Sequence, residues 1–234
     1  MQDLQPKLLA LGIVMVLFAL GFLPERDERR GVSLGDVLLD ESVRRNSAAP
    51  EADENDRQMR VRYAALVSEG DTFAGNRDFD KAIAGYSEAV RLIPTNALAF
   101  NGRGLAYANK GDNDQAIADY SEAIRLEPTN PNALFNRGLA HANKREYDRA
   151  ISDYSEAIRL DPTNAVAFHN RGLAYASKRK YDRAISDYGE AIRLDPLYAI
   201  AFCNRGRAKQ AKGDRTSGGA DVNRAKQLRP SSCQ

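Results

Sequence analysis

With 234 residues, 43% of them apolar and 28% charged, the chain can bury a sizeable core and is not a small disulfide scaffold. Lysine and arginine number 34 against 32 aspartate and glutamate, interleaved rather than gathered into blocks, so no electrostatic footprint for nucleic acid is present. Two cysteines without CxxC spacing and two histidines without HExxH exclude the familiar metal and redox motifs, so neither metal nor cofactor is expected; Cys203 and Cys233 read as a buried thiol and a tail thiol.

After a short tail (1–7), residues 8–23, L-L-A-L-G-I-V-M-V-L-F-A-L-G-F-L, form an uncharged apolar run. As a helix it would reach about 24 Å against a hydrocarbon core of about 30 Å, so it would span with help from Lys7 and Arg26 at its ends. An uncleaved single-pass anchor is the reading adopted, because Pro24 and E-R-D-E-R-R close the segment sharply. A cleaved secretory signal is the alternative, with Ala19 and Gly21 before the cut and a secreted or periplasmic product. Arg26, Arg29 and Arg30 outnumber Lys7 plus the terminal amine, which favours a cytoplasmic body; the secretory alternative places it outside. Residues 24–62 follow as a polar linker, with a short helix expected in 33–45 and a tether-like N-S-A-A-P-E-A-D-E-N-D-R-Q behind it.

From Tyr63 the chain repeats itself. Pro94, Pro128, Pro162, Pro196 and Pro230 share one spacing and divide the chain into units 63–96, 97–130, 131–164 and 165–198, with a decayed fifth at 199–232. Each unit holds two amphipathic helical stretches, such as A-L-F-N-R-G-L-A-H-A (133–142) and A-I-S-D-Y-S-E-A-I-R-L (150–160), joined by a tight turn. Asp80, Asp114, Asp148 and Asp182 fall in the first turn of the second helices, and Asn96, Asn130 and Asn164 stand where they cap the next first helix. Gly70, Gly104, Gly138, Gly172 and Gly206, with Ala82, Ala116, Ala150 and Ala184, mark close helix approach; Tyr86, Tyr120, Tyr154 and Tyr188 fill the space left. In the fifth unit Gly218 and Val222 replace the alanine and tyrosine, and T-S-G-G predicts a loosened turn, so this unit reads as a frayed cap.

This pattern of Gly, Tyr, Ala, Tyr and Pro resembles the tetratricopeptide repeat family, in four complete copies. It departs from the family where Leu66, Phe100, Leu134 and Phe168 occupy the usual tryptophan place and where His141 stands for a tyrosine. The resemblance implies an all-α solenoid, a right-handed superhelix whose first helices line a concave groove that binds a partner segment, without catalysis.

Projecting the repeat inward puts Leu98, Asn132, Val166 and Ile200 on one row and Val67, Asn101, Phe135, His169 and Cys203 on the next. Asn136, Asn170 and Asn204 form a third row, whose amides suit an extended peptide backbone. The peptide-binding candidates are therefore Leu98, Asn101, Phe135, Asn136, Val166, His169, Asn170, Ile200 and Asn204, and the partner is a protein or peptide. A carboxylate clamp is rejected because the positions that would carry its lysines hold Val67, Asn101, Phe135 and Ile200. Arg103, Arg137, Arg171 and Arg205 read as ion-pair partners of Asp119, Asp153 and Asp187. No nucleophile has a base in its repeat context, so no enzyme is expected; a homo-oligomer stacked through the decayed fifth unit remains open.

Overall fold

The computed structural model describes residues 50–233. The apolar run 8–23, the short helix expected at 33–45 and most of the expected linker lie outside the described residues. These form ten α-helices: α1 (Pro50–Gly75), α2 (Phe79–Leu92), α3 (Ala97–Lys110), α4 (Asn113–Leu126), α5 (Pro131–Asn143), α6 (Tyr147–Leu160), α7 (Ala165–Ser177), α8 (Tyr181–Leu194), α9 (Ala199–Ala211) and α10 (Arg215–Leu228), closed by a 3-10 turn at Pro230–Cys233.

Two units divide the chain at Arg60 and Val61. In the first, the stretch expected as an unstructured tether is helical from Pro50. Its pattern supports that: a proline stands at the first helical position, and Asp53 and Asp56 pair with Arg57 and Arg60 one turn on, at 3.3 and 2.8 Å. Polarity had suggested a linker, but charges four residues apart on a proline-led segment also suit a solvated helix.

The second unit is the solenoid. Asn96, Asn130 and Asn164 cap α3, α5 and α7, their side-chain oxygens accepting from the amides of Leu98, Asn132 and Ala167, each at 3.0 Å. Asp78, Asp112 and Asp214 cap α2, α4 and α10 in the same way. The turn inside each helix pair holds one residue in the left-handed region: Arg77 (φ 61°), Gly111 (87°), Arg145 (62°), Arg179 (56°) and Gly213 (99°).

Each of the first four helix pairs closes on a tyrosine laid over a glycine. A Cβ on Gly70, Gly104, Gly138 or Gly172 would meet the ring of Tyr86, Tyr120, Tyr154 or Tyr188 at 2.7 to 2.9 Å. The same ring packs on an alanine of the next repeat: Tyr120 on Ala140, Tyr154 on Ala174, Tyr188 on Ala208. First helices of successive repeats touch one another (α3 with α5, α5 with α7, α7 with α9), while successive second helices stand further apart. The stack therefore curves with its first helices inside.

A polar lock crosses each junction. Arg103 of α3 donates from Nε and Nη2 to both oxygens of Asp119 in α4, at 2.8 and 2.7 Å, and from Nη1 to Ser87 of α2 at 3.1 Å. Arg137 with Asp153 and Ser121, and Arg171 with Asp187 and Ser155, repeat the arrangement. Arg205 keeps its aspartate, Asp221, but faces Gly189 where the serine would be.

Two expectations about the C-terminal end are corrected. The fifth unit does not fray: α10 runs unbroken through T-S-G-G, and α9 and α10 meet backbone to backbone, so a Cβ on Gly218 would lie 2.6 Å from the carbonyl of Gly206 and the reverse holds equally. Val222 in place of tyrosine lets the two helices close up, and glycine in place of alanine makes room for it. The cysteines are not free thiols but a disulfide, Cys203–Cys233, with Cα atoms 5.6 Å apart. The chain turns back after α10, Arg207 Nη2 donates to the Cys233 carbonyl at 2.9 Å, and a tail residue distant in sequence meets α9. Closing a loop of that length contributes about 4 kcal/mol through the unfolded state.

Gly218→Ala should destabilise the protein by about 1 to 3 kcal/mol in denaturant melts, whereas Ala substitution at Gly219, where a Cβ would meet nothing within 4 Å, should not. Arg179→Gly relieves a left-handed residue and should raise stability by about 0.5 to 1 kcal/mol in the same assay.

Candidate functional site

The inner face is built by α3, α5, α7 and α9. Leu98, Val166 and Ile200 stand on it 56%, 45% and 44% exposed, with exposed Asn132 between them. Seven residues on, two helical turns along the same face, Leu105 and Leu173 are 46% and 38% exposed and Leu139 is half-buried. Sequence reasoning passed over this second aliphatic row, although it has the same period as the prolines. Together the rows place exposed aliphatic side chains at the repeat's own spacing along the groove.

The row Val67, Asn101, Phe135, His169 and Cys203 behaves differently. It wedges between successive first helices: Val67, His169 and Cys203 are buried, and Phe135 leans on the Tyr154 ring at 5.7 Å. Asn101 lines a cleft of about 410 Å³ with Leu98, Leu126, Glu127 and Asn130, and its Oδ1 is buried without a hydrogen-bond partner. A second cleft in the same register, about 590 Å³, lies at the C-terminal end among Leu197, Tyr198, Ile200, Leu228, Arg229 and Ser232.

His169 is 5% exposed, its ring between Tyr188 and Tyr198 at 5.6 and 5.1 Å. Its Nε2 meets the Asn204 amide at 2.9 Å. Burial pushes the imidazole down to about 4, so it is neutral near pH 7 and takes no part as an open groove contact. The asparagine row is partly engaged: the Asn170 amide donates to the Val166 carbonyl at 2.8 Å, and that of Asn204 is held at His169. The Oδ1 atoms of both make no hydrogen bond within the described residues, and Asn136 is half-buried on the same row. This leaves acceptors, suited to the N–H groups of an extended backbone.

The arginines one step beyond are spent on Asp119, Asp153, Asp187 and Asp221; the arginine side chains are 19 to 24% exposed and the aspartates 8 to 10%. The first helices between Leu98 and Leu173 thereby present no unpaired arginine to the inner face, and Glu127 is the exposed charge beside Leu98. Among the described residues no cluster of His, Cys, Asp and Glu could hold a metal, and no helix is long and apolar enough to cross a membrane.

The depressed histidine carries a pH signature. Above about pH 6.5 His169 is neutral in both folded and unfolded chains; below it the unfolded chain takes up a proton that the folded chain refuses until about pH 4. Stability should fall by about 3 kcal/mol across that window from this residue. His169→Phe, patterned on Phe135 at the same place in its repeat, should remove that component in denaturant melts at pH 7, 5.5 and 4, and an unchanged pH slope would contradict the assignment.

Known proteins agree with this architecture. A tetratricopeptide repeat profile matches residues 131–164 and 165–198, and a TPR repeat profile matches 70–111 and 104–145, together a continuous span of more than half the chain. No curated protein matches the sequence. Among solved structures, MamA is 27% identical with a TM-score of 0.67, over 72% of this chain and 92% of its own. MamA of Desulfovibrio magneticus RS-1 is 19% identical with a TM-score of 0.68, over 73% and 96%. YrrB, described as a TPR protein with an unusual peptide-binding site, is 22% identical with a TM-score of 0.63, over 71% and 86%. The last two speak to the fold alone. With its glycine and tyrosine contacts, its inward first helices and these matches, the chain belongs to the tetratricopeptide repeat family.

Proposed function

We propose that this protein-interaction scaffold is held at a membrane by residues 8–23 and grips an extended, uncharged, aliphatic segment of another protein in the groove of its first helices. The observation that carries the reading is the pair of exposed aliphatic rows, Leu98, Val166 and Ile200 with Leu105 and Leu173, on a surface whose arginines are neutralised by buried aspartates. Such rows hold apolar side chains of an extended segment, while Asn136, Asn170 and Asn204 present acceptors to its backbone.

The disulfide bears on the side of the membrane. Cys203–Cys233 suits an oxidising compartment, so the repeats are assigned to the outer, oxidising side, against the weak positive-inside count. An anchored or a cleaved N-terminus delivers the body to that side equally; the anchored form is the reading adopted. Self-assembly through a loosened fifth repeat is the weaker reading, because that repeat is closely packed and ends in a disulfide-held turn.

Affinity capture from membranes bearing the full chain, with cross-linking, tests the groove. Leu105→Ser with Leu173→Ser should lower partner recovery about tenfold or more while helicity and melting stay near wild type, and Asn136, Asn170 and Asn204 changed together to alanine should weaken it further. Unchanged recovery in both variants would overturn the groove reading. Thiol alkylation without reductant on protein in its native membrane should leave both cysteines unlabelled, and full labelling would place the repeats on the reducing side.

A further inference from the structure

The antiparallel pairs put every turn within a pair on one edge of the solenoid and every turn between pairs on the other. The two edges differ in charge. On the second edge α4, α6 and α8 are followed by Glu127, Asp161 and Asp195, with no cation in E-P-T-N, D-P-T-N or D-P-L-Y, while α2 is followed by Ile93 and α10 by Arg229. On the first edge the third and fourth turns read K-R-E-Y-D-R (144–149) and K-R-K-Y-D-R (178–183), seven cations against three carboxylates.

All three carboxylates are already engaged. Glu146 is held by His141, Lys144 and Arg149, Asp148 by Lys178, and Asp182 by Lys212. Arg145, Arg179 and Lys180 are exposed with no carboxylate partner among the described residues, and Arg183 lies over the Tyr175 ring at 5.5 Å. Lys180 stands where the preceding repeat has Glu146, so the charge grows from one rung to the next.

The backbone adds an independent observation. Arg145 and Arg179 sit at φ 62° and 56°, in the turn position that Gly111 and Gly213 fill elsewhere in the stack. Folding favours glycine there. Arginine is therefore kept at that position against the local backbone preference, which points to a use for its charge outside the fold.

We propose that this edge docks on a surface of anionic phospholipid headgroups, setting the solenoid on its side with the acidic edge turned away and the groove open along the bilayer. The cations stand on the tips of successive turns one repeat apart, which suits a flat array of phosphates; guanidinium groups bind phosphate with two parallel hydrogen bonds. The opposed charge of the other edge fixes which side faces the lipid. The inference rests on the membrane reading of residues 8–23 for its choice of occupant.

The test separates the two. The full chain is mixed with vesicles of phosphatidylcholine alone and of phosphatidylcholine with phosphatidylglycerol, reading co-flotation for the apolar segment and the acylation rate of Lys180, mapped by mass spectrometry, for the edge. Lys180 should be shielded severalfold only on the anionic vesicles, and salt should abolish the shielding. Arg145→Gly with Arg179→Gly should melt no lower than wild type yet restore the unshielded rate, since each basic residue near such a surface is worth about fivefold. Failure to float with neutral vesicles would count against the anchor alone. Equal Lys180 reactivity on both vesicles, shielding that survives in the double variant, or shielding by soluble polyglutamate without vesicles would each overturn the lipid assignment.

Discussion

The first four helix pairs of the solenoid depend on a tyrosine ring pressed against a glycine. The ring of Tyr120 excludes any Cβ at Gly104 and at once rests on Ala140 of the following repeat, so one side chain sets both the spacing within a helix pair and the step to the next. Repeated at Tyr86, Tyr154 and Tyr188, the contact brings first helices together and leaves second helices apart, which produces the curvature and with it an inner face. The fifth pair shows the rule by its exception. With Val222 instead of a ring the helices move inward until two backbones touch, and only Gly206 facing Gly218 permits it.

The arginine and aspartate locks act on function through what they remove. Four guanidinium groups next to the groove would otherwise bias it toward acidic partners. Paired with aspartates in bidentate geometry and, in three repeats, with a serine of the preceding pair, they staple three helices and give the groove a neutral surface. On the proposed reading, exposed leucine, valine and isoleucine side chains then select the partner, and charge is displaced to the solenoid's edges. Interior stapling and exterior charge separation thus come from the same repeat, at different positions of its helices.

How much of this could be read beforehand follows from the range of each interaction. Features that recur at one place in every repeat were legible: the helix pairs, the asparagine caps at Asn96, Asn130 and Asn164, the tyrosines over small residues, and the pairing of Arg103 with Asp119. Features that depend on two positions compensating each other were not. Gly218 looked like decay because the change at Val222 that makes it fit was read as a second loss. The disulfide joins a groove-row residue to a tail beyond the last helix, and no local spacing announces such a contact. The enclosure of His169 required knowing that Tyr198, standing where other repeats have the capping asparagine, covers its ring. The row of Leu105, Leu139 and Leu173 was periodic and open to view; leucine in a helix suggested core, and only exposure revealed it as surface.

The central claim is that the inner face, and not the outer one, holds the partner. Site-specific photo-cross-linking measures it directly, with the probe placed at Leu105 or Leu173 on first helices and, for comparison, at exposed Ala118 or Ser186 on second helices. Cross-links to one protein species from 105 and 173, with none from 118 or 186, are the expected result. Adducts formed equally from both faces, or from the second helices alone, would contradict it.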